Sequence, residues 1–313
     1  MSEAFIKLDY RCNQRCLFCC TADDKESLSY AQAKEIVHKY AIEMNYPMIS
    51  FTGGEPCVVS YLPKIINFAK GLDKKVKIQT NAIALHDKDY AKTLVDSGLD
   101  LALVSIHSYK NKINDKLTQV EGSLSKSLRG IQNLIDLGVE VQLAYVITKE
   151  NKDISSFVEA IAKHFPEIKH IQFFVPWAIS RGWQSRSLVP KFSEINEKLR
   201  EGFDKCSGNN IKFVTRGIPI CHLGKYWKNS TETNAILNEK PAMIINDFGD
   251  EKPRHSFEES NCKEPQCKFC VMNDKCGGVW NTYPKIYPYD LWPIYERFNY
   301  KFTKDKRLLG GIG

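Results

Sequence analysis

No apolar run in this chain approaches the roughly 20 residues that a membrane-spanning helix needs. The first residues lack the basic-then-apolar pattern of a secretory signal, because Glu3, Lys7 and Asp9 interrupt it. These absences point to the cytoplasm. Long Lys or Arg blocks are missing, and so is any signature of a nucleic-acid-binding module. A net charge of +7 over 313 residues is therefore read as a solvated basic surface, or as a mild preference for a nucleotide, phosphate or acidic peptide. Hydrophobic content of 43 % and charged content of 26 % are ordinary for a globular chain, with room for one large domain and a smaller one. With no secretory context, the eleven cysteines point to metal or catalysis rather than disulfides.

The stretch around which the rest is organised is Arg11-Cys12-Asn13-Gln14-Arg15-Cys16-Leu17-Phe18-Cys19-Cys20, just after a short apolar run. Three thiols at Cys-x3-Cys-x2-Cys on one loop can converge on an iron–sulfur cluster, leaving one iron of a cubane open to a ligand. A zinc ribbon pairs two Cys-x2-Cys knuckles, which the first spacing does not match. Phe18 is placed to shield the cluster or stack on what binds there, and Cys20 is left outside as a neighbour of Cys19. The second stretch, Ile49-Ser50-Phe51-Thr52-Gly53-Gly54-Glu55-Pro56, is a strand-like run ending in two glycines, a carboxylate and a proline. The glycines would let a ligand approach the backbone, and Glu55 could accept hydrogen bonds from a cationic amine.

The two motifs together resemble the radical SAM superfamily. The resemblance implies that Cys12, Cys16 and Cys19 hold a 4Fe–4S cluster whose open iron is chelated by S-adenosylmethionine. It also implies that Gly53, Gly54, Glu55 and Pro56 bind the methionine amine.

From residue 4 to about 206, β-rich runs alternate with amphipathic stretches. Strands are predicted at Phe5–Asp9, Met48–Thr52, Val76–Thr80, Leu101–His107, Val139–Thr148 and His170–Val175, with helices between them at Tyr30–Glu43, Leu62–Ala69, Lys88–Asp96, Ser123–Leu137 and Ile154–His164. Six βα repeats make an α/β fold with a parallel sheet that binds ligands at the carboxyl ends of its strands. This agrees with the (βα)6 partial TIM barrel that the resemblance implies. The strand ends add Asn81, toward the ribose or methionine moiety, Ser105 as a cofactor contact, and His107 as a proton-transfer group or a structural histidine. Tyr145 and Asn151 fit the family outline, and 173–177 is where the family places adenine contacts. Cys57 is read as a hydrogen-atom donor or, more plainly, a buried structural thiol.

After residue 177 the repeat stops. A first domain of 1–206 and an extension of 207–313 are expected, with one more helix, 193–206, a short strand at Asn209–Val214 and an irregular surface loop over 229–260. Four thiols in fifteen residues, Cys262-x4-Cys267-x2-Cys270-x5-Cys276, again mean metal. Cys267, Cys270 and Cys276 resemble the centre of the SPASM and twitch extensions, which hold auxiliary 4Fe–4S clusters. The fuller pattern would place a further Cys where this chain has Trp280, so the resemblance implies one auxiliary cluster. Its fourth ligand is Cys221 or Cys262, with Cys221 preferred; a structural zinc site on the same thiols is the plainer alternative. The tail ends Leu308-Leu309-Gly310-Gly311-Ile312-Gly313, similar to the double-glycine end of the molybdopterin-precursor cyclase. The auxiliary cysteine spacing of that family does not match, and a disordered tail is expected.

The resemblance implies one-electron reduction of the first cluster, by a flavodoxin- or ferredoxin-type partner, and hydrogen abstraction by a 5′-deoxyadenosyl radical. A ribosomally made peptide is the leading substrate class. Cys12 leaves no room ahead of it for the leader-binding domain of many peptide maturases, so a separate recognition protein is expected. The alternatives are an oxidase or epimerase of a small polar metabolite such as an aminocyclitol or nucleotide, a non-catalytic iron–sulfur carrier or scaffold, and a zinc-dependent binding module. The non-catalytic carrier would have no need of the Gly-Gly-Glu-Pro stretch.

Overall fold

The computed structural model describes residues 3–21, 27–179, 181–238, 244–246, 254–255 and 260–295. Alternation decides which way each strand faces. In β1 (Glu3–Asp9), Ala4, Ile6 and Leu8 join the helix-covered core, and Phe5, Lys7 and Asp9 face the other side. The pattern repeats in β2 (Met48–Gly53), β3 (Lys75–Thr80), β4 (Leu101–Ser105), β5 (Glu140–Val146), β6 (His170–Phe174) and β7 (Lys212–Arg216). These seven strands lie side by side in chain order, all parallel. Each crossover therefore moves one place in the same direction, as in a barrel and unlike a doubly wound sheet. The result is a partial TIM barrel with its strand ends gathered at one mouth.

The crossovers are amphipathic helices with recognisable starts. At α1 (Tyr30–His38), Ser29 and Gln32 form a reciprocal capping box. After α2 (Leu62–Gly71), α3 (Lys88–Asp96) is capped by the Asp87 carboxylate. The next crossover holds two helices, α4 (Asn111–Thr118) and α5 (Ser123–Asp136), the second burying Leu124, Ile131 and Leu134 on one face. Asp153 caps α6 (Ile154–His164). Beyond β6 come α7 (Arg181–Gln184) and α8 (Phe192–Gly208), whose Phe203 packs flat on Phe213 of β7. Among the described residues, no helix is long and apolar enough to cross a membrane.

Several expectations change. The sheet has a seventh parallel strand, beyond the boundary expected at Cys206, because β7 buries Phe213 under α8 and pairs with β6. Helix α4 lay in a stretch too polar to stand out, its buried face being Asn114, Leu117 and Thr118. The irregular loop expected over 229–260 holds α10 (Thr231–Asn238) after the short α9 (Ile220–Leu223), then β8 (Ile244–Asn246) and β9 (Arg254–His255). β8 extends the sheet beside β1, and β9 pairs antiparallel with it. The extension ends in the β10 (Asn261–Cys262) and β11 (Val279–Trp280) pair and α11 (Tyr283–Ile286). The first part of the expected tail is thus folded: Tyr283 stacks on Phe192 and donates to Asp290 at 2.5 Å. The glycine-rich end, 308–313, lies outside the described residues.

Candidate functional site

The first thiol loop is built from backbone outward. At the end of β1, Asp9 takes the Arg11 N–H at 2.8 Å and the Arg11 guanidinium at 2.6 and 2.9 Å, which turns the chain into the loop. Burial alone would raise the Asp9 carboxyl, but the Arg11 hydrogen bonds and charge hold it below its ordinary value. Carbonyls at the end of α4 accept from the loop, Thr118 from Arg15 N–H at 3.0 Å and Leu117 from Leu17 N–H at 2.9 Å. Cys19 C=O accepts from Gly182 N–H at 3.0 Å, so α7 closes the far side. Neither anchor carried a sequence signal, since both act through main-chain atoms.

The paired glycines let the two motifs close on each other. A side chain at Gly53 would meet Asp9 O at 2.1 Å, and one at Gly54 would meet Arg11 O at 2.2 Å and Tyr10 O at 2.4 Å. On the side a Cβ would take, the space they free is filled by the backbone of Asp9, Tyr10 and Arg11. Gly54 and Glu55 N–H groups donate to the Asp9 and Arg11 carbonyls at 2.7 and 2.9 Å, which ties the second motif to the first.

Glu55 is only 1 % exposed. Its Oε1 accepts from Thr80 Oγ1 at 2.6 Å and Cys57 N–H at 3.0 Å, and its Oε2 from Asn81 N–H at 2.7 Å. Burial raises its pKa against those three donors. Among the described residues no ion pair to it is found, and a cationic amine beside this buried carboxylate would supply the opposite charge. Pro56 opens the buried turn behind it. Asn81 is committed to the loop: Nδ2 donates to Asn13 Oδ1 at 2.6 Å and points at Cys12 Sγ at 3.8 Å, while Oδ1 accepts from Ile83 N–H.

Phe18 meets the His107 ring edge-on at 4.6 Å. Burial pushes His107 down to about 3, and its Nδ1 accepts the Val146 N–H, so the ring is neutral and carries its proton on Nε2. It is positioned as a brace for Phe18. Ser105, half-buried, shares the barrel-facing side of β4 with Leu101 and Leu103. Tyr145 does not join this group. At 1 % exposure it lies on the helix-covered side against Phe157, its hydroxyl donating to Asn151 O at 2.5 Å, because its odd position in β5 sends it away from the mouth. Cys57, 9 % exposed, sits behind Glu55 in the core, 3.5 Å from Thr80 Oγ1, with its thiol pushed up by burial and by the Glu55 charge.

The second thiol group forms in the extension. Cys221, Cys267, Cys270 and Cys276 line one cavity with Leu291 and Trp292. Cys262 does not line it and pairs with Val279 in β10–β11. Main-chain N–H groups point at the sulfurs, Gly278 at Cys276 and Ile294 at Cys270, both at 3.3 Å. Glu264, between Cys262 and Cys267, takes the N–H groups of Tyr289 and Leu291 with its carboxylate at 2.5 and 3.1 Å. Trp280, where the fuller pattern has a Cys, stacks on Trp177 at 5.3 Å and donates to Val175 O at 3.2 Å. It joins the barrel to the extension.

Both thiol sets fit a multinuclear cluster. The four auxiliary thiols ring a cavity, and N–H donors face sulfur in both groups, including Gln14 N–H to Cys12 at 3.4 Å. Burial raises the Cys12 thiol to about 11 and that of Cys276 upward, so bound metal would have to draw off the protons.

A model of the radical SAM superfamily matches residues 6–161. Over 206 residues the chain is 31 % identical to the Fe-coproporphyrin III synthase of Methanosarcina barkeri, a match covering 61 % of this chain and 50 % of that protein. Over 207 residues it is 34 % identical to a probable GTP 3′,8-cyclase of Sulfolobus acidocaldarius, covering 64 % of each. These matches span about half to two-thirds of the relatives' length. Among solved structures, SuiB of Streptococcus suis bound to its precursor peptide SuiA superposes with a TM-score of 0.66 at 16 % identity, covering 92 % of this chain and 73 % of SuiB. SuiB has also been solved with S-adenosylmethionine.

Proposed function

From the premise that this chain belongs to the radical SAM superfamily, whose cofactors are a 4Fe–4S cluster and S-adenosylmethionine, we propose that it is a radical enzyme acting on a ribosomally made peptide. When bound, the cofactors supply reductive cleavage of S-adenosylmethionine and hydrogen abstraction from the substrate. Cys12, Cys16 and Cys19 would hold the cluster. Glu55 would accept the methionine amine at its open Oε2 position, and Phe18, braced by His107, would cover the site. Cys221, Cys267, Cys270 and Cys276 would hold one auxiliary 4Fe–4S cluster, able to take an electron from an oxidised substrate radical, as cross-linking or net oxidation requires.

The observation that carries the radical reading is the hydrogen-bonded union of the two motifs: Glu55, buried and with no ion pair among the described residues, is tied through Arg11 O to the thiol loop. The peptide reading is supported by the likeness of fold to SuiB over 92 % of the chain, extension included. A nucleotide substrate is the second reading, favoured by 34 % identity to a probable GTP 3′,8-cyclase over 207 residues. One experiment separates them. Anaerobically loaded protein with dithionite and S-adenosylmethionine is given GTP or candidate precursor peptides, and substrate-dependent 5′-deoxyadenosine is measured with product mass. Stimulation by GTP with a cyclised product would sink the peptide reading. A peptide losing two hydrogens would sink the nucleotide one.

A further inference from the structure

Glu232 is among the buried carboxylates that the cofactor roles leave unused. Glu232 lies in the first turn of α10 and is 2 % exposed. Its Oε1 accepts the Gly217 N–H at 2.7 Å, and its Oε2 accepts the Ser230 hydroxyl at 3.0 Å. Gly217, at φ +76°, starts the turn that runs through Ile218 and Pro219 to Cys221. On another side, Gly277 packs so closely that a Cβ there would stand 2.4 Å from Glu232 Cβ, and Gly277 directly follows Cys276. Arg216, at the end of β7, gives the carboxylate an opposite charge. A buried carboxylate holds its place only where donors and charge compensate it. Here those contacts join the end of β7, Ser230, α10 and the Cys276 turn at one side chain.

We propose that Glu232 is a positioning residue for the second thiol site. By taking the Gly217 N–H on one side and seating Gly277 on the other, it sets Cys221 and Cys276 at the separation that a cluster needs. Among the described residues its carboxylate bonds Gly217 N–H and the Ser230 hydroxyl rather than a thiol. This rests on the reading of that site as an auxiliary cluster.

The test uses the full chain, loaded anaerobically, as wild type, Glu232→Ala, Glu232→Gln and a Cys267→Ala/Cys270→Ala reference. Iron and sulfide per chain and the electron paramagnetic resonance of the reduced protein are read, with the Cys12/Cys16/Cys19 signal as an internal control for folding. Glu232→Ala should match the reference, iron falling from about eight to about four with only the second signal lost. Glu232→Gln keeps an oxygen for the Gly217 N–H and the bulk beside Gly277, and should keep both signals. Unchanged iron and signals in Glu232→Ala would overturn the proposal. Equal loss in Glu232→Gln would overturn it in favour of a requirement for charge. Loss of both signals in Glu232→Ala would overturn a role confined to the second site. If the wild type already matches the Cys267→Ala/Cys270→Ala reference, the premise of an auxiliary cluster fails and the proposal with it.

Discussion

The two thiol sites are built by opposite means. The first takes its three cysteines from eight consecutive residues and hangs them on a regular sheet, through carbonyls of α4 and the backbone of the Gly-Gly-Glu-Pro stretch. The second draws Cys221 from the turn after β7 and three more cysteines from beyond residue 260. It is held by single buried side chains, Glu232, Glu264 and Trp280. A site on repetitive scaffold is fixed by many weak main-chain bonds, whereas a site on irregular chain depends on a few side chains that each join several segments. Substitutions should therefore act differently at the two.

The largest effect is expected from Cys12→Ala/Cys16→Ala/Cys19→Ala: 5′-deoxyadenosine falls to background and iron drops by about four per chain, read by chromatography and iron assay. Production at the wild-type rate would remove the first site from the chemistry. Next comes Gly54→Ala, whose methyl would overlap two backbone carbonyls that cannot move without dismantling the loop. A loss of more than about 3 kcal/mol in urea unfolding is expected, together with loss of the first cluster. The matching change in the extension, Trp280→Ala, should cost about 3–5 kcal/mol by emptying the stack on Trp177 and the cover over Gly217. Its signature is loss of the second cluster with the first retained, and equal loss of both would erase the contrast between the sites.

Acid should act on the first site through His107. Its folded pKa of about 3 lies below the unfolded value of about 6.5. Between these values the unfolded chain binds a proton that the folded chain does not, so this stability is present above about pH 6.5 and lost as pH falls toward 3. The slope is about 1.4 kcal/mol per pH unit. His107→Asn should flatten it in urea unfolding compared at pH 5 and pH 7, and an unaltered slope would point to other groups. The smallest effect is expected from Cys262→Ala, which should leave iron at about eight per chain where Cys221→Ala loses about four; the reverse result would exchange the two as ligands.

Legibility followed the same division. Strands β1 to β6, most of the crossover helices and the three clustered thiols could be read from local pattern, because period-two and 3.6-residue alternation and short spacings are local properties. Tyr145 was misread because a strand's parity relative to the mouth is set by register, which no single strand reveals. That Gly53 and Gly54 also seat the thiol loop is not legible in the sequence, because close approach by a ligand and close approach by the chain itself call for the same residue type. Helix α4 and Glu232 were missed because both are polar stretches whose burial comes from neighbours distant in sequence.

What the amino-acid order by itself determined was the parallel α/β scaffold, the first thiol loop and its pairing with Gly-Gly-Glu-Pro, all encoded within short windows. What only the tertiary structure decided was which thiols meet in the extension, that Trp280 closes the joint between barrel and extension, and that Glu55 is a buried carboxylate with no ion pair among the described residues. Those properties belong to contacts between segments far apart in the chain, whose energies exist only once the sheet has brought them together.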